Sequence, residues 1–212
     1  MPSRSAENPR LAVRNLHLWR GDKHLLKGIS FELNAGELLR LMGPNGVGKT
    51  SLLRCVAGLL PVESGDIEWG GQANHKAFAS LHGDLAYLAH LNALKVDLTA
   101  HENLLYGVSL QRAVTTTEIQ RTLERLQIGH CAPLPVRALS AGQKRRVAIA
   151  RVLLSKATLW ILDEPITNLD TAGIQLIERC MDDHLEAGGM ILAAAHQTLL
   201  EASARARTLE LH

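Results

Sequence analysis

Three glycines, a lysine and a threonine stand in Gly43-Pro44-Asn45-Gly46-Val47-Gly48-Lys49-Thr50 at the spacing G-x-x-x-x-G-K-[ST], the pattern of a loop that cradles the phosphates of a nucleoside triphosphate. Glycine lets the backbone approach an anion and turn its N–H groups inward, and a helix starting at the end of the loop would add partial positive charge. Lys49 would contact the β- and γ-phosphates, and Thr50 or Ser51 would offer a hydroxyl to Mg2+. A glycine-rich turn can match the pattern by chance, so the flanks decide. The apolar run 37–42 reads as a buried strand, and residues 50–57 have helical spacing with Gly58 as a C-terminal stop. Strand, loop and helix therefore follow one another in the order a phosphate site requires.

A second set of reactive groups lies downstream. Thr158-Leu159-Trp160-Ile161-Leu162 is a continuous apolar run that ends in Asp163-Glu164, as expected of a parallel strand buried on both faces. The C-terminal edge of such a sheet is where ligands bind. Asp163 would hold Mg2+ through water, and Glu164 would polarise a water attacking the γ-phosphate. Leu139-Ser140-Ala141-Gly142-Gln143 precedes a basic and apolar helical stretch, 144–154, with Ser140 as its N-cap and Gln143 as the reciprocal partner. Read alone, it is a well-capped helix. Residues 190–194 read as another buried strand, with His196 just beyond it. Trp19, upstream of the phosphate loop, either stacks on a purine or is a half-buried aromatic at a strand edge.

The elements that must position these groups are legible in outline. Residues 11–18 and 29–33 alternate as strands of an antiparallel sheet, with a turn at 19–22. Residues 66–69 and 85–88 suggest further strands, and 70–80 read as polar surface. Capping-box patterns at Thr99-Ala100-His101-Glu102 and Thr115-Thr116-Thr117-Glu118 open helices that run to about 109 and to near Gly129. Residues 170–186 form another helix. These readings make one domain over 11–212, with a small helical lobe at about 90–155 and a mobile polar start at 1–10. Leu91, Leu94, Val96 and Leu98 place apolar side chains in a stretch that reads as loop; they either meet a partner or cover the lobe's own core.

The 212 residues, 46% of them hydrophobic, suffice for one sizeable core. A formal net charge of +2, spread without a basic tail, selects no nucleic-acid partner. Cys55, Cys131 and Cys180 suit reduced core cysteines better than a disulfide framework. No apolar run approaches the ~20 residues that span a bilayer, and the first ten residues lack a signal-peptide core. The expectation is a cytoplasmic chain without direct membrane insertion, whose membrane role would need a separate partner.

In this order and spacing, the phosphate loop, Leu139 to Gln143, Leu159 to Pro165, Asn168-Leu169-Asp170 and His196 resemble the nucleotide-binding subunit of ATP-binding-cassette transporters over nearly the whole chain. The Leu-Ser-x-Gly-Gln segment is far more specific than the loop. The resemblance implies an α/β P-loop NTPase core with a mostly parallel sheet, an antiparallel β subdomain and a small helical lobe. ATP and Mg2+ would be the cofactors, with Gly43, Pro44, Asn45, Gly46, Val47, Gly48, Lys49, Thr50 and Ser51 around the phosphates. It further implies a homodimer that sandwiches two ATP molecules head to tail, so that Ser140 and Gly142, with Gln143 beside them, meet the nucleotide held by the partner's loop. Glu164 would be the general base, His196 the switch residue at the γ-phosphate, and Asp170 part of a loop crossing the dimer interface. His90 stands where transporter ATPases usually carry a glutamine near Mg2+, and is assigned with Thr50 and Asp163 to the metal site.

More narrowly, Gly28-Ile29-Ser30-Phe31, Asn34-Ala35-Gly36-Glu37 and Ala157-Thr158-Leu159-Trp160 are similar to the ATP-binding subunit family of the haem exporter of cytochrome c maturation. His90 fits that family, though Leu91 follows where it usually has glutamine. This likeness implies a polytopic membrane subunit as partner and a place on the cytoplasmic face of the bacterial inner membrane. The alternatives are export of another cargo, or a soluble cassette ATPase of DNA repair or translation. Such soluble relatives usually carry two cassettes, a coiled-coil insertion or basic arms, none of which this sequence contains.

Overall fold

The computed structural model describes residues 11–73, 78, 81–195, 199–200 and 203–212. Two sheets lie at its centre. β1 (Leu11–Arg20), β2 (Lys23–Leu33), β4 (Ser64–Trp69) and β5 (Gln72–Ala73) form an antiparallel sheet in the order β2-β1-β4-β5. β3 (Leu38–Met42), β6 (Leu85–Leu88), β7 (Leu159–Asp163), β8 (Met190–Ala194) and β9 (Ala206–Glu210) form a parallel sheet in the order β6-β7-β8-β3-β9.

The parallel sheet is covered on both faces, which explains why its strands read as unbroken apolar runs. In β7, Leu159 and Ile161 enter the core shared with the antiparallel sheet and α1 (Lys49–Val56). Trp160 and Leu162 enter the opposite core, built with α2 (Ala100–Ser109), α3 (Thr116–Arg125), α4 (Ala141–Ser155) and α5 (Thr171–Glu186). All five residues of β7 are buried. The three cysteines are buried free thiols, and burial pushes that of Cys55 up to about 11.

Local signals set most boundaries. Thr99, Thr115 and Ser140 each complete a capping box with Glu102, Glu118 and Gln143. Gly58, at φ 69°, follows the last turn of α1 as the left-handed stop.

Several expectations need correction. β1 runs on through Trp19 to Arg20, and β2 starts at Lys23 rather than 29, because Trp19 pairs with His24 across a tight turn. α3 stops at Arg125, short of Gly129, where Gln127 takes the left-handed conformation at φ 58°. β9 lacks apolar alternation and was not expected. It is an edge strand held by β3 and by Arg207, which donates to Glu32 O and Glu37 Oε2. In the apolar loop Leu91 and Val96 are exposed, whereas Leu94 packs against the helical core and Leu98 is half-buried. The expected mobile start at 1–10 lies outside the described residues.

Candidate active site

The phosphate-loop motif leaves β3 at the C-terminal edge of the parallel sheet and enters α1. Its glycines at 43, 46 and 48 have φ of 140°, 78° and 116°. A side chain at Gly43 would place Cβ 2.5 Å from Leu211 O, and one at Gly48 would come 2.8 Å from Leu26 Cδ2. The loop therefore takes a path that only glycine follows without strain. Gly48 caps α1 without a side-chain acceptor, so the first-turn N–H groups keep their capacity to bind an anion.

A cleft of about 380 Å3 opens over this loop, lined by Asn45, Gly46, Gly48, Lys49, Thr50 and Ser51 from below. His90, Asp163, Glu164 and Thr167 line it from the neighbouring strand ends, and Arg20 and Leu25 from the antiparallel sheet. Lys49 is buried, its Nζ donating to Gly43 O at 2.7 Å and Pro44 O at 3.1 Å. Thr50 Oγ1 donates to Asp163 Oδ2 at 2.9 Å. This joins loop to strand end and places a hydroxyl and a carboxylate oxygen side by side. Such hard oxygen donors suit Mg2+. Among the described residues there is no cluster of three or more His, Cys, Asp or Glu side chains able to hold a metal by themselves.

Glu164 follows Asp163 in a left-handed conformation, φ 52°, with its N–H on Ala194 O at 2.8 Å. A non-glycine residue persists there only when its surroundings over-determine it, and such residues cluster at active sites. His196 lies outside the described residues.

Trp19 does not line the cleft; its neighbour Arg20 does. Successive strand residues point to opposite faces, and the Trp19 ring is stacked on His24, 3.6 Å between centroids and 8° from parallel. At 39% exposure it is an exposed residue near the C-terminal end of β1.

Ser140, Gly142 and Gln143 sit elsewhere, in a separate cleft of about 310 Å3 with Asn168 and Asp170. Ser140 Oγ accepts from the Gln143 N–H at 3.2 Å, and Gln143 Oε1 from the Ser140 N–H at 2.8 Å. Arg146 joins this helix start to the next, reaching Asp170 Oδ1 at 3.2 Å. Within one chain these residues share no lining with the Lys49 cleft.

One residue of the site escaped the sequence reading. Arg145, only 1% exposed, donates from Nη2 to Asp163 O and Glu164 O and from Nη1 to Ala89 O and Asn92 Oδ1. Burial holds its pKa down to about 10, while the charges of Asp163 and Glu164 pull it upward. The signal was a cation on an apolar stripe: Arg145, Ala148, Ile149 and Val152 recur at helical spacing, and all are buried.

A second cleft of about 400 Å3 at the other end of the sheet, around Trp160, Lys156 and His184, has neither a glycine-rich phosphate loop nor a strand-end acidic pair. Chemistry rather than volume therefore selects the site over Lys49.

The family described as ABC transporter matches residues 26–167. The chain is 42% identical over 203 residues to the cytochrome c biogenesis ATP-binding export protein CcmA of Nitrosococcus oceani, covering 96% of this chain and 92% of that protein. It is also 42% identical to the protein of that name from Dechloromonas aromatica, covering 95% and 99%. Among solved structures it is similar to an ATP-binding subunit of an ABC transporter, with a TM-score of 0.83 at 25% identity over 95% of this chain and 85% of that one. The fold also matches a bacterial Atm1-family ABC exporter with ATP bound, TM-score 0.85 and 24% identity, covering 100% of this chain and 38% of that chain.

Proposed function

The chain belongs to the ABC transporter family, and from that premise we propose that it is the ATP-hydrolysing subunit of the haem exporter of cytochrome c biogenesis. The observation that carries this reading is the convergence of Lys49, Thr50, Asp163 and Glu164 on one cleft, in a chain alike over nearly its whole length to export proteins of that process.

The loop N–H groups and Lys49 bind the triphosphate, and Glu164 accepts a proton from the attacking water. Thr50 and Asp163 would hold Mg2+, with His90 on the wall of the same cleft. When bound, the ion would neutralise charge developing on the triphosphate. His196 serves as the switch residue at the γ-phosphate, on resemblance. Ser140 and Gly142, remote from Lys49 in their own chain, face the nucleotide of a second copy; the start of α4, capped within the chain by Ser140 and Gln143, points the positive end of its dipole there.

A membrane subunit receives the work. A groove of about 450 Å3 between α1, β6, α2 and α4 is lined by Leu59, Tyr87, Leu110 and Arg151. Leu59 and Leu110 are 61% and 88% exposed, and neighbouring Tyr106 is 58% exposed. Such an exposed apolar patch marks an interaction surface. Attachment to the cytoplasmic face of the inner membrane runs through that partner in this reading, and no described helix is long and apolar enough to cross a membrane.

Glu164→Gln tests the reading, because it keeps the binding groups and removes the base. It is expected to abolish hydrolysis and to yield, with ATP and Mg2+, a stable dimer co-purifying with a polytopic membrane protein. A variant that stays monomeric and hydrolyses ATP at the wild-type rate would refute both the role and the geometry.

A further inference from the structure

Arg145 is the largest of the fully buried side chains among the described residues, and each of its nitrogens is used. Nε donates to Pro165 O at 3.1 Å, and Nη2 to Asp163 O at 2.7 Å and Glu164 O at 2.6 Å. Nη1 donates to Ala89 O at 2.9 Å, His90 O at 3.4 Å and Asn92 Oδ1 at 3.0 Å. One planar group thus grips three consecutive carbonyls just where β7 ends, together with the loop that carries His90. Filling volume does not explain this: an apolar side chain of similar size avoids the desolvation of a cation and often leaves a protein as stable or more so. What the fork supplies is direction, because its five N–H groups are fixed in one plane.

Direction matters most at Glu164, whose left-handed backbone is unfavourable for a residue with a side chain. Its N–H is fixed on Ala194 O and its carbonyl on Arg145, so the peptide units on both sides of its Cα are held. Arg145 itself sits on α4, five residues beyond the cap at Ser140. Motion of that helix relative to the sheet therefore pulls on the 163–165 carbonyls and on the His90 loop together.

We propose that Arg145 is a positioning residue for hydrolysis, which locks Glu164 and the His90 loop into one body and ties that body to the helix beginning at Ser140. The proposal rests on Glu164 acting as base, as above. Because Arg145 reaches the strand end and the loop rather than the phosphate loop, it predicts an effect on turnover and not on nucleotide binding.

The test uses the full chain in its membrane complex, with steady-state ATP hydrolysis and equilibrium ATP titration measured side by side. Arg145→Lys keeps the charge but draws its donors to a single point; kcat is expected to fall at least 30-fold while ATP affinity stays within threefold. Asn92→Ala removes a single acceptor from the fork. It is expected to lower kcat three- to tenfold at unchanged KM and melting temperature. If Arg145→Lys keeps kcat within threefold, or loses affinity in step with kcat, the assignment is wrong. Should that variant not fold, Asn92→Ala decides, and wild-type turnover there overturns the proposal. A wild-type complex without ATPase activity would instead defeat the function proposed above.

Discussion

Lys49→Ala separates the backbone's share of nucleotide affinity from that of the one lysine in the loop. The ammonium already donates to Gly43 O and Pro44 O, so one of its three N–H groups can reach a phosphate oxygen without rearrangement. A hydrogen bond to a charged group is worth about 1.5–3 kcal/mol. The Coulomb attraction of two unit charges at 4 Å is about 4 kcal/mol at an effective dielectric of 20. These figures describe the same contact and do not add. Removing it should cost about 2–4 kcal/mol, or roughly 30- to 1000-fold in affinity.

The fold should change little: the freed carbonyls face the cleft, where water can replace the ammonium, and the start of α1 loses an adjacent cation that its dipole disfavours. Calorimetric titration with Mg–ATP and with inorganic tripolyphosphate gives the decisive comparison, since Lys49 is assigned to phosphate alone. Both ligands should weaken by the same factor. An ATP affinity within threefold of wild type, or a loss confined to ATP, would refute the phosphate assignment.

Two further outcomes follow from the surface. Leu110→Lys places a cation beside Arg151 in the exposed groove and should weaken association with the membrane subunit at least tenfold; ATP affinity and melting temperature should be unchanged, as expected for an exposed position. Unaltered co-purification removes the groove as the docking surface. Leu94 would be a poor probe, because it packs on the helical core and its loss would disturb the fold. Glu118 is held at about 2, chiefly by the Thr115 N–H and then by Arg112 and Lys156, against an ordinary value of 4.5. Its ionised form is thus favoured by folding. That stability is complete above the ordinary value and lost as pH falls toward about 2. The melting-temperature gap between wild type and Glu118→Gln should close over that window, and a gap independent of pH would contradict it.

What the sequence by itself determined was everything governed by near neighbours. The strand, glycine loop and helix around Lys49, the capping boxes at Thr99, Thr115 and Ser140, and the two-sided burial of β7 all follow from period and spacing over a few residues. The family followed from the order of such segments. Tertiary structure decided whatever depends on groups distant along the chain. Thr50 and Asp163 are 113 residues apart and meet only because β3 and β7 end at the same edge of one sheet. Gly43 is required by the carbonyl of Leu211, which no local pattern contains. Whether Trp19 or Arg20 faces the cleft depended on the phase and end of β1, where a shift of one residue exchanges the faces. The apolar stripe could mark Arg145 as buried but could not name its partners. Only the folded chain brings carbonyls from 89–92 and 163–165 around it, and buried hydrogen bonds to backbone leave no pattern of side-chain types to read.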